Sequence, residues 1–233
     1  MGEILFRTKL SENLFAGLSP WMQKLPGGLI HVNVVGCALF AAISGSSAAT
    51  VATVGKMSIP ELRKRKYPEK ILLGSLAGSG TLGLLIPPSI ILIIYGVTVQ
   101  ESIAKLFIAG IIPGIMIALI FMSYVIIWSL INKKSMPNYV ENFSFLEKIR
   151  KSKQLLPVII LISAVIGSIY TGVATATEAA SLGVVGALIL SYFQKSLTIE
   201  TFKQSLLGAT KTSCMIAFIL AGSTFLSLAM GFT

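Results

Sequence analysis

Apolar runs at or near membrane-crossing length recur along this chain, over residues 29–55, 71–99, 106–131, 155–170, 174–193 and 209–232. A helix takes roughly 20 predominantly apolar residues to cross a bilayer, so the runs predict an all-α polytopic membrane protein, multi-pass in a lipid bilayer. Composition agrees. Of the 233 residues, 54% are hydrophobic and 12% charged, against about a quarter charged in an ordinary soluble chain. Residues 1–24 mix polar and apolar positions without a small-residue cleavage site, so no cleavable signal is expected.

The net charge is +10, and where it sits matters more than its total. Residues 56–70 and 132–153 each carry six bases and two acids, and residues 194–211 carry three bases and one acid. Basic short loops stay on the cytoplasmic side. The runs 71–99 and 106–131 then supply the two crossings between the first two basic stretches, and 155–170 with 174–193 return the chain to the third. Basic runs also occur in nucleic-acid binders; here they fall between spans, and no nucleic-acid partner is expected.

The run 29–55 is interrupted at its centre by Ser44, Gly45, Ser46, Ser47, Ala48, Ala49 and Thr50. It crosses once or enters and leaves one face, and the polar centre favours a re-entrant hairpin, because irregular backbone at membrane depth must line protein or water. The expected order is an amphipathic surface segment over 1–28, broken by Pro20, Pro26, Gly27 and Gly28. A re-entrant helical hairpin over 29–55 and a basic cytoplasmic loop over 56–70 follow. Residues 71–131 hold a broken transmembrane helix and the next transmembrane helix, and 132–153 form a cytoplasmic connector. Residues 154–233 open a second repeat, with a short amphipathic surface helix over 195–207 ahead of the last apolar run.

Two stretches could carry function. At a hairpin tip, Ser44–Thr50 would offer carbonyls and hydroxyls to a small hard cation, and the exposed helix start would offer amides to an anion; equally, small residues pack helix against helix. The second stretch holds Gly78, Gly80 and Gly83, then Pro87, Pro88 and Ser89, inside one span. Proline in a helix interior costs about 3 kcal/mol, and a break at mid-membrane frees backbone groups that ions and solutes can use. A kinked packing helix is the alternative, and Gly74 with Gly78 fits the GxxxG packing pattern. Gly78, Gly80 and Gly83 also spell GxGxxG, but a dinucleotide site needs a preceding strand and a following helix, and this run leads into two prolines.

Glu178, the one acid inside an apolar run, is a functional hypothesis by position, yet Thr175 and Glu178 also spell a helix capping box. His31 reads as an interfacial polar residue, and Tyr95, Trp128 and Tyr170 as interface anchors. Cys37 and Cys214 lack metal or disulfide spacing and read as buried small hydrophobes. With one histidine and no aspartate, neither a Ser-His-Asp triad nor a metal-hydrolase centre can be assembled. The chain is not expected to be an enzyme.

The segments ALFAAISGSSAATVATVGKMSIPEL, GSLAGSGTLGLLIPPSIILIIYG, SIAKLFIAGIIPG and GVATATEAASLGVVGAL occur in that order. Together they resemble the large membrane (M) subunit, or large permease, of tripartite ATP-independent periplasmic (TRAP) transporters. The resemblance runs almost from end to end. It implies an elevator-type ion transporter of inverted repeats, each with a re-entrant hairpin and a broken helix, in a bacterial inner membrane. It also implies secondary transport: Na⁺ symport of organic acids such as C4-dicarboxylates or sialic acid, a periplasmic solute-binding protein, a small four-helix membrane subunit, and no cofactor beyond the coupling Na⁺. On this resemblance Ser44, Gly45, Ser46, Ser47, Gly80, Thr81 and Gly83 would bind the ion. Ser47, Ala48, Ala49, Pro87, Pro88 and Ser89 would line the solute cavity. Family chains begin earlier and continue further, so the chain is expected to be a fragment lacking the N-terminal helices and the C-terminal part, with one of two half-sites. A one-component Na⁺-coupled anion carrier of the same hairpin architecture, and a non-transporting truncated remnant, are the alternative readings.

Overall fold

The computed structural model describes residues 1–7, 10–137, 144–153 and 155–231. The middle of the 132–153 connector, two residues of the N-terminal segment, residue 154 and the end of the last apolar run lie outside them. All the regular structure of the described residues is helical, with no strand among them.

Two helices, α1 (Gly2–Phe6) and α2 (Leu10–Met22), open the chain. Leu5 and Leu18 are buried in the main apolar core. A turn in which Gly27 and Gly28 both take positive φ leads through a short 3₁₀ turn, Gly28–Ile30, into α3 (His31–Ser44). This helix is buried on nearly every face, including His31, Val32, Asn33, Val34, Cys37 and Phe40. It is the central post of the molecule.

Helix α4 (Ser47–Lys64) turns back along α3, presenting Thr50, Val54, Ser58 and Leu62 at four-residue spacing as one buried stripe. It continues through Pro60, so residues 56–64 are helix, where the sequence suggested a loop. The cations Arg63 and Lys64 sit in its last turn, where they oppose the negative end of the helix dipole. Arg63 meets Glu69 at 2.9 Å across the turn between α4 and the next helix. Helix α5 (Glu69–Gly80) buries Leu72, Ser75, Leu76 and Ser79 against α3 and α4.

The chain then tightens into a 3₁₀ turn, Thr81–Leu84, and passes Pro87 and Pro88 as irregular backbone. It resumes as α6 (Ile90–Thr98). Helix α7 (Ile103–Ile131) is about 44 Å long at 1.5 Å per residue. It lies against the irregular stretch through Gly110 and Gly114. A Cβ at Gly110 would stand 2.8 Å from the Leu85 carbonyl oxygen, and one at Gly114 would stand 2.9 Å from Ile86 Cγ1.

Beyond the connector come α8 (Phe145–Ser152), then α9 (Leu156–Tyr170) and α10 (Ala176–Phe193), the last two packed together. Last is α11 (Ile199–Gly231), one helix through the region where the sequence suggested a surface helix followed by a separate span. No breaker separates the two, and Gly208, helical here, lets Glu3 approach. α7, α10 and α11 are each long and apolar enough to cross a membrane; α8 and α9 reach that measure only when joined across a bend of 55°. Their outward faces are apolar, with Ile112 and Phe218 among the most exposed side chains. Most of the buried polar side chains instead lie between His31 and Ser89.

Candidate functional site

Two interruptions meet in this structure. Helix α3 ends at Gly45, whose φ of 60° is the left-handed conformation that favours glycine, and its N–H donates to the Ala41 carbonyl at 2.9 Å. Ser46, extended, caps α4 by accepting the Ala49 N–H on Oγ at 3.5 Å. Thr50 Oγ1 donates to the Ser46 carbonyl at 2.7 Å and lies 2.8 Å from Ser44 Oγ. The tip is thus a closed knot of hydroxyls and peptide groups, with Thr50 wholly buried.

The break after α5 seats directly on this knot. The Ile90 N–H, first of α6, donates to the Gly45 carbonyl at 3.3 Å. A Cβ at Gly45 would lie 2.8 Å from the Pro88 carbonyl oxygen, and one at Gly83 would lie 2.9 Å from both Ser46 C and Ser47 N. A Cβ at Gly80 would collide with Val51 on α4. Glycine is required at Gly45 and Gly83 because backbone approaches backbone with no room for a side chain. Ser89, buried, bridges the break by donating from Oγ to the Leu84 carbonyl at 2.6 Å.

Ser44, Gly45, Ser46, Ser47, Gly80, Gly83, Pro88 and Ser89 therefore come together. Thr81 does not join them: it is exposed, and its hydroxyl donates to the Gly78 carbonyl of the preceding helix at 2.7 Å. Ala48 is exposed at the start of α4, and Pro87 faces an apolar cavity of about 140 Å³ shared with Ala42, Ile111, Ile115, Ile166 and Tyr170. Tyr170 thus lines this cavity from the end of α9. His31 is buried and its Nε2 lies 2.8 Å from the Pro26 carbonyl oxygen, so it is a packing residue of the post, where an interfacial one was expected. Cys37 is buried as expected, but Cys214 is exposed on α11.

Asn33 escaped the sequence reading of the site, and the part played by Thr50, within the expected tip, shows only in the structure. Thr50, four residues after Ser46, has the spacing at which a hydroxyl bonds back along a helix. Asn33 is a lone amide in an apolar run; its Nδ2 donates to the Leu72 carbonyl at 3.2 Å and to Ser75 Oγ at 3.0 Å, tying α3 to α5. Gly74 and Gly78 do not act as a pair, because a Cβ at Gly74 would meet nothing within 4 Å whereas one at Gly78 would meet the Phe121 ring at 3.3 Å. Glu178 forms the capping box: its Oε2 accepts the Thr175 N–H and hydroxyl, each at 2.8 Å.

Chemically, the site pairs opposite helix ends. α3 and α5 arrive at it with their C-terminal carbonyls, and α4 and α6 leave it with their N-terminal amides. Each end carries roughly half an elementary charge, negative at carbonyl ends and positive at amide ends. Such an arrangement suits a small cation on one side and an anion on the other. No group of three His, Cys, Asp or Glu that could hold a metal occurs among the described residues.

Residues 1–233 match the family model described as "Tripartite ATP-independent periplasmic transporter, DctM component". The chain is 36% identical over 198 residues to the C4-dicarboxylate TRAP transporter large permease protein DctM of Pseudomonas aeruginosa, covering 84% of this chain and 46% of that protein. It is 32% identical over 226 residues to the sialic acid TRAP transporter large permease protein SiaM of Vibrio cholerae, covering 96% and 52%. It is 34% identical over 219 residues to the isethionate TRAP transporter permease protein DctMQ of Oleidesulfovibrio alaskensis, covering 92% and 34%. The chain thus spans about half the length, or less, of these relatives. All three are named as permeases, none as an enzyme.

Proposed function

The chain belongs to the tripartite ATP-independent periplasmic transporter family as a DctM component, and we propose that its hairpin tip and helix break form half of a site binding Na⁺ beside an organic acid. One observation carries this reading: the Ile90 N–H bonds the Gly45 carbonyl, which joins two interruptions 45 positions apart into one cluster of peptide groups. The carbonyls around Ser44, Gly45, Ser46, Gly80 and Gly83, with the nearby hydroxyls, supply hard oxygen ligands for Na⁺. Thr81 contributes its peptide group only. The amides at the starts of α4 and α6, beside Ser47, Ala49 and Ser89, suit a carboxylate or sulfonate. The solutes named for the three relatives all carry such a group.

The shared packing of α3, α4 and α5 around Phe40, Val54, Leu72 and Leu76 lets hairpin and break shift as one body, as an elevator mechanism requires. A small four-helix membrane subunit, a periplasmic solute-binding protein and a bacterial inner membrane complete the reading, as the tripartite family name suggests.

The test is solute uptake by the chain completed to the length of its relatives. It would be reconstituted in vesicles with the small subunit and the binding protein and assayed with labelled organic acids. Uptake should require an inward Na⁺ gradient. Thr50→Val, which removes a hydroxyl from the tip at constant volume, should raise the half-saturating Na⁺ concentration about tenfold, equivalent to about 1.4 kcal/mol. Equal uptake in K⁺ and Na⁺ would refute the ion site, and full uptake without the binding protein would favour a one-component carrier.

A further inference from the structure

Helix α8 is too short to cross a membrane, yet it exposes a strongly apolar face. Phe145, Leu146 and Ile149 fall on an arc of about 100° and are 66%, 79% and 41% exposed. Over residues 145–153 four bases, Lys148, Arg150, Lys151 and Lys153, stand against one acid. The axis of α8 departs from that of α9 by 55°.

Helix α8 is braced from one side. The Trp21 ring of α2 meets Phe145 edge-on, with centroids 6.4 Å apart and planes at 79°. Its Nε1–H donates to Ser152 Oγ at 2.8 Å, and the Lys148 ammonium stands 5.5 Å from the ring centroid. Trp21 is itself exposed. Tryptophan favours the headgroup level of a bilayer, and a basic helix with an aromatic and aliphatic face lies in the interface plane.

We propose that α8, held by Trp21, is a docking surface for anionic phospholipid at the membrane surface. Phe145, Leu146 and Ile149 enter the acyl boundary, while Lys148, Arg150 and Lys153 meet headgroup phosphates. The charge balance selects the occupant: a surface with a fourfold excess of bases complements an anionic leaflet, to which each base near the surface is attracted. The dock would tether the chain between α7 and α9 to the bilayer plane, and it is independent of the transport reading.

The whole chain carrying Trp128→Phe keeps Trp21 as its tryptophan reporter. It would be reconstituted into phosphatidylcholine vesicles with or without about 30 mol% phosphatidylglycerol, a composition rich in anionic lipid. Trp21 quenching by lipids spin-labelled near the headgroup is read. Phosphatidylglycerol should increase quenching, and about 1 M salt, where the Debye length is about 3 Å, should reverse the increase. The triple variant Lys148→Gln, Arg150→Gln, Lys153→Gln should lose the phosphatidylglycerol dependence yet keep quenching in phosphatidylcholine alone. Leu146→Ser with Ile149→Ser should lower quenching in both. An increase that survives in the triple variant with an unchanged unfolding midpoint would overturn the proposal. So would a Trp21 signal in the otherwise unaltered chain that ignores lipid composition and salt, which would assign this face to a protein partner.

Discussion

The difference between a tolerated and a forbidden side chain in this molecule comes down to tenths of an ångström. A Cβ at Gly83 would press on the Ser46 and Ser47 peptide at 2.9 Å, and backbone on both sides cannot yield as a flexible side chain would. Gly83→Ala should therefore destabilise by about 1–3 kcal/mol and lower the unfolding midpoint in detergent. Gly74→Ala, with nothing within 4 Å of the new methyl, should instead be neutral or stabilising by about 0.5–1 kcal/mol. If the two variants melt alike, the hairpin tip does not press on the break. Asn33 offers a second test. Asn33→Leu removes the donors to the Leu72 carbonyl and Ser75 Oγ and should cost about 1–3 kcal/mol. Ser75→Ala, added to the Asn33→Leu chain, should then change the unfolding midpoint little.

At the scale of elements, the turn between α4 and α5 is held by Tyr67. Its hydroxyl accepts the Leu29 N–H at 3.1 Å, in the space left by the absent side chain of Gly28, where a Cβ would lie 2.5 Å from the hydroxyl oxygen. Burial pushes the phenol pKa above its ordinary 10.0, opposed by the Leu29 N–H and the Arg65 charge. An acid whose folded pKa is raised lends stability that is whole below the unfolded value and is lost as pH climbs through the folded one. Stability should thus fall on the alkaline side of pH 10, and Tyr67→Phe should flatten that limb while lowering stability at neutral pH by about 1 kcal/mol. At the other end of the chain, Thr175→Ala removes the cap of α10 and should cost about 1 kcal/mol. The change should read as faster amide exchange confined to the first turn after Ala176. The capping box was legible because it is a pattern of four consecutive residues. The merging of residues 199–231 into one helix was not, since a basic amphipathic stretch running into an apolar one reads as two units.

Over the whole molecule large apolar side chains face outward on α7, α9, α10 and α11 as well as filling the core, and most buried polar groups gather around α3, its partner helices and the two breaks. The two cysteines sample both environments, Cys214 on the exposed face of α11 and Cys37 inside the central post. An apolar maleimide should label the native chain in detergent at one site, and Cys214→Ser should abolish that labelling until the chain is unfolded; labelling of Cys37 in the native state would mean the post is open. From the sequence alone it follows that the chain lives in a membrane and that two of its apolar runs are interrupted, near Gly45 and Pro87. Apolar length, positive φ and a missing N–H are properties of neighbouring residues. Only the tertiary structure decided that these interruptions touch, that Thr81 turns away from them and that Thr50 and Asn33 turn in. Contacts such as Ile90 to Gly45 depend on how α3, α4, α5 and α7 pack at close range, and that packing is a property of all four helices together.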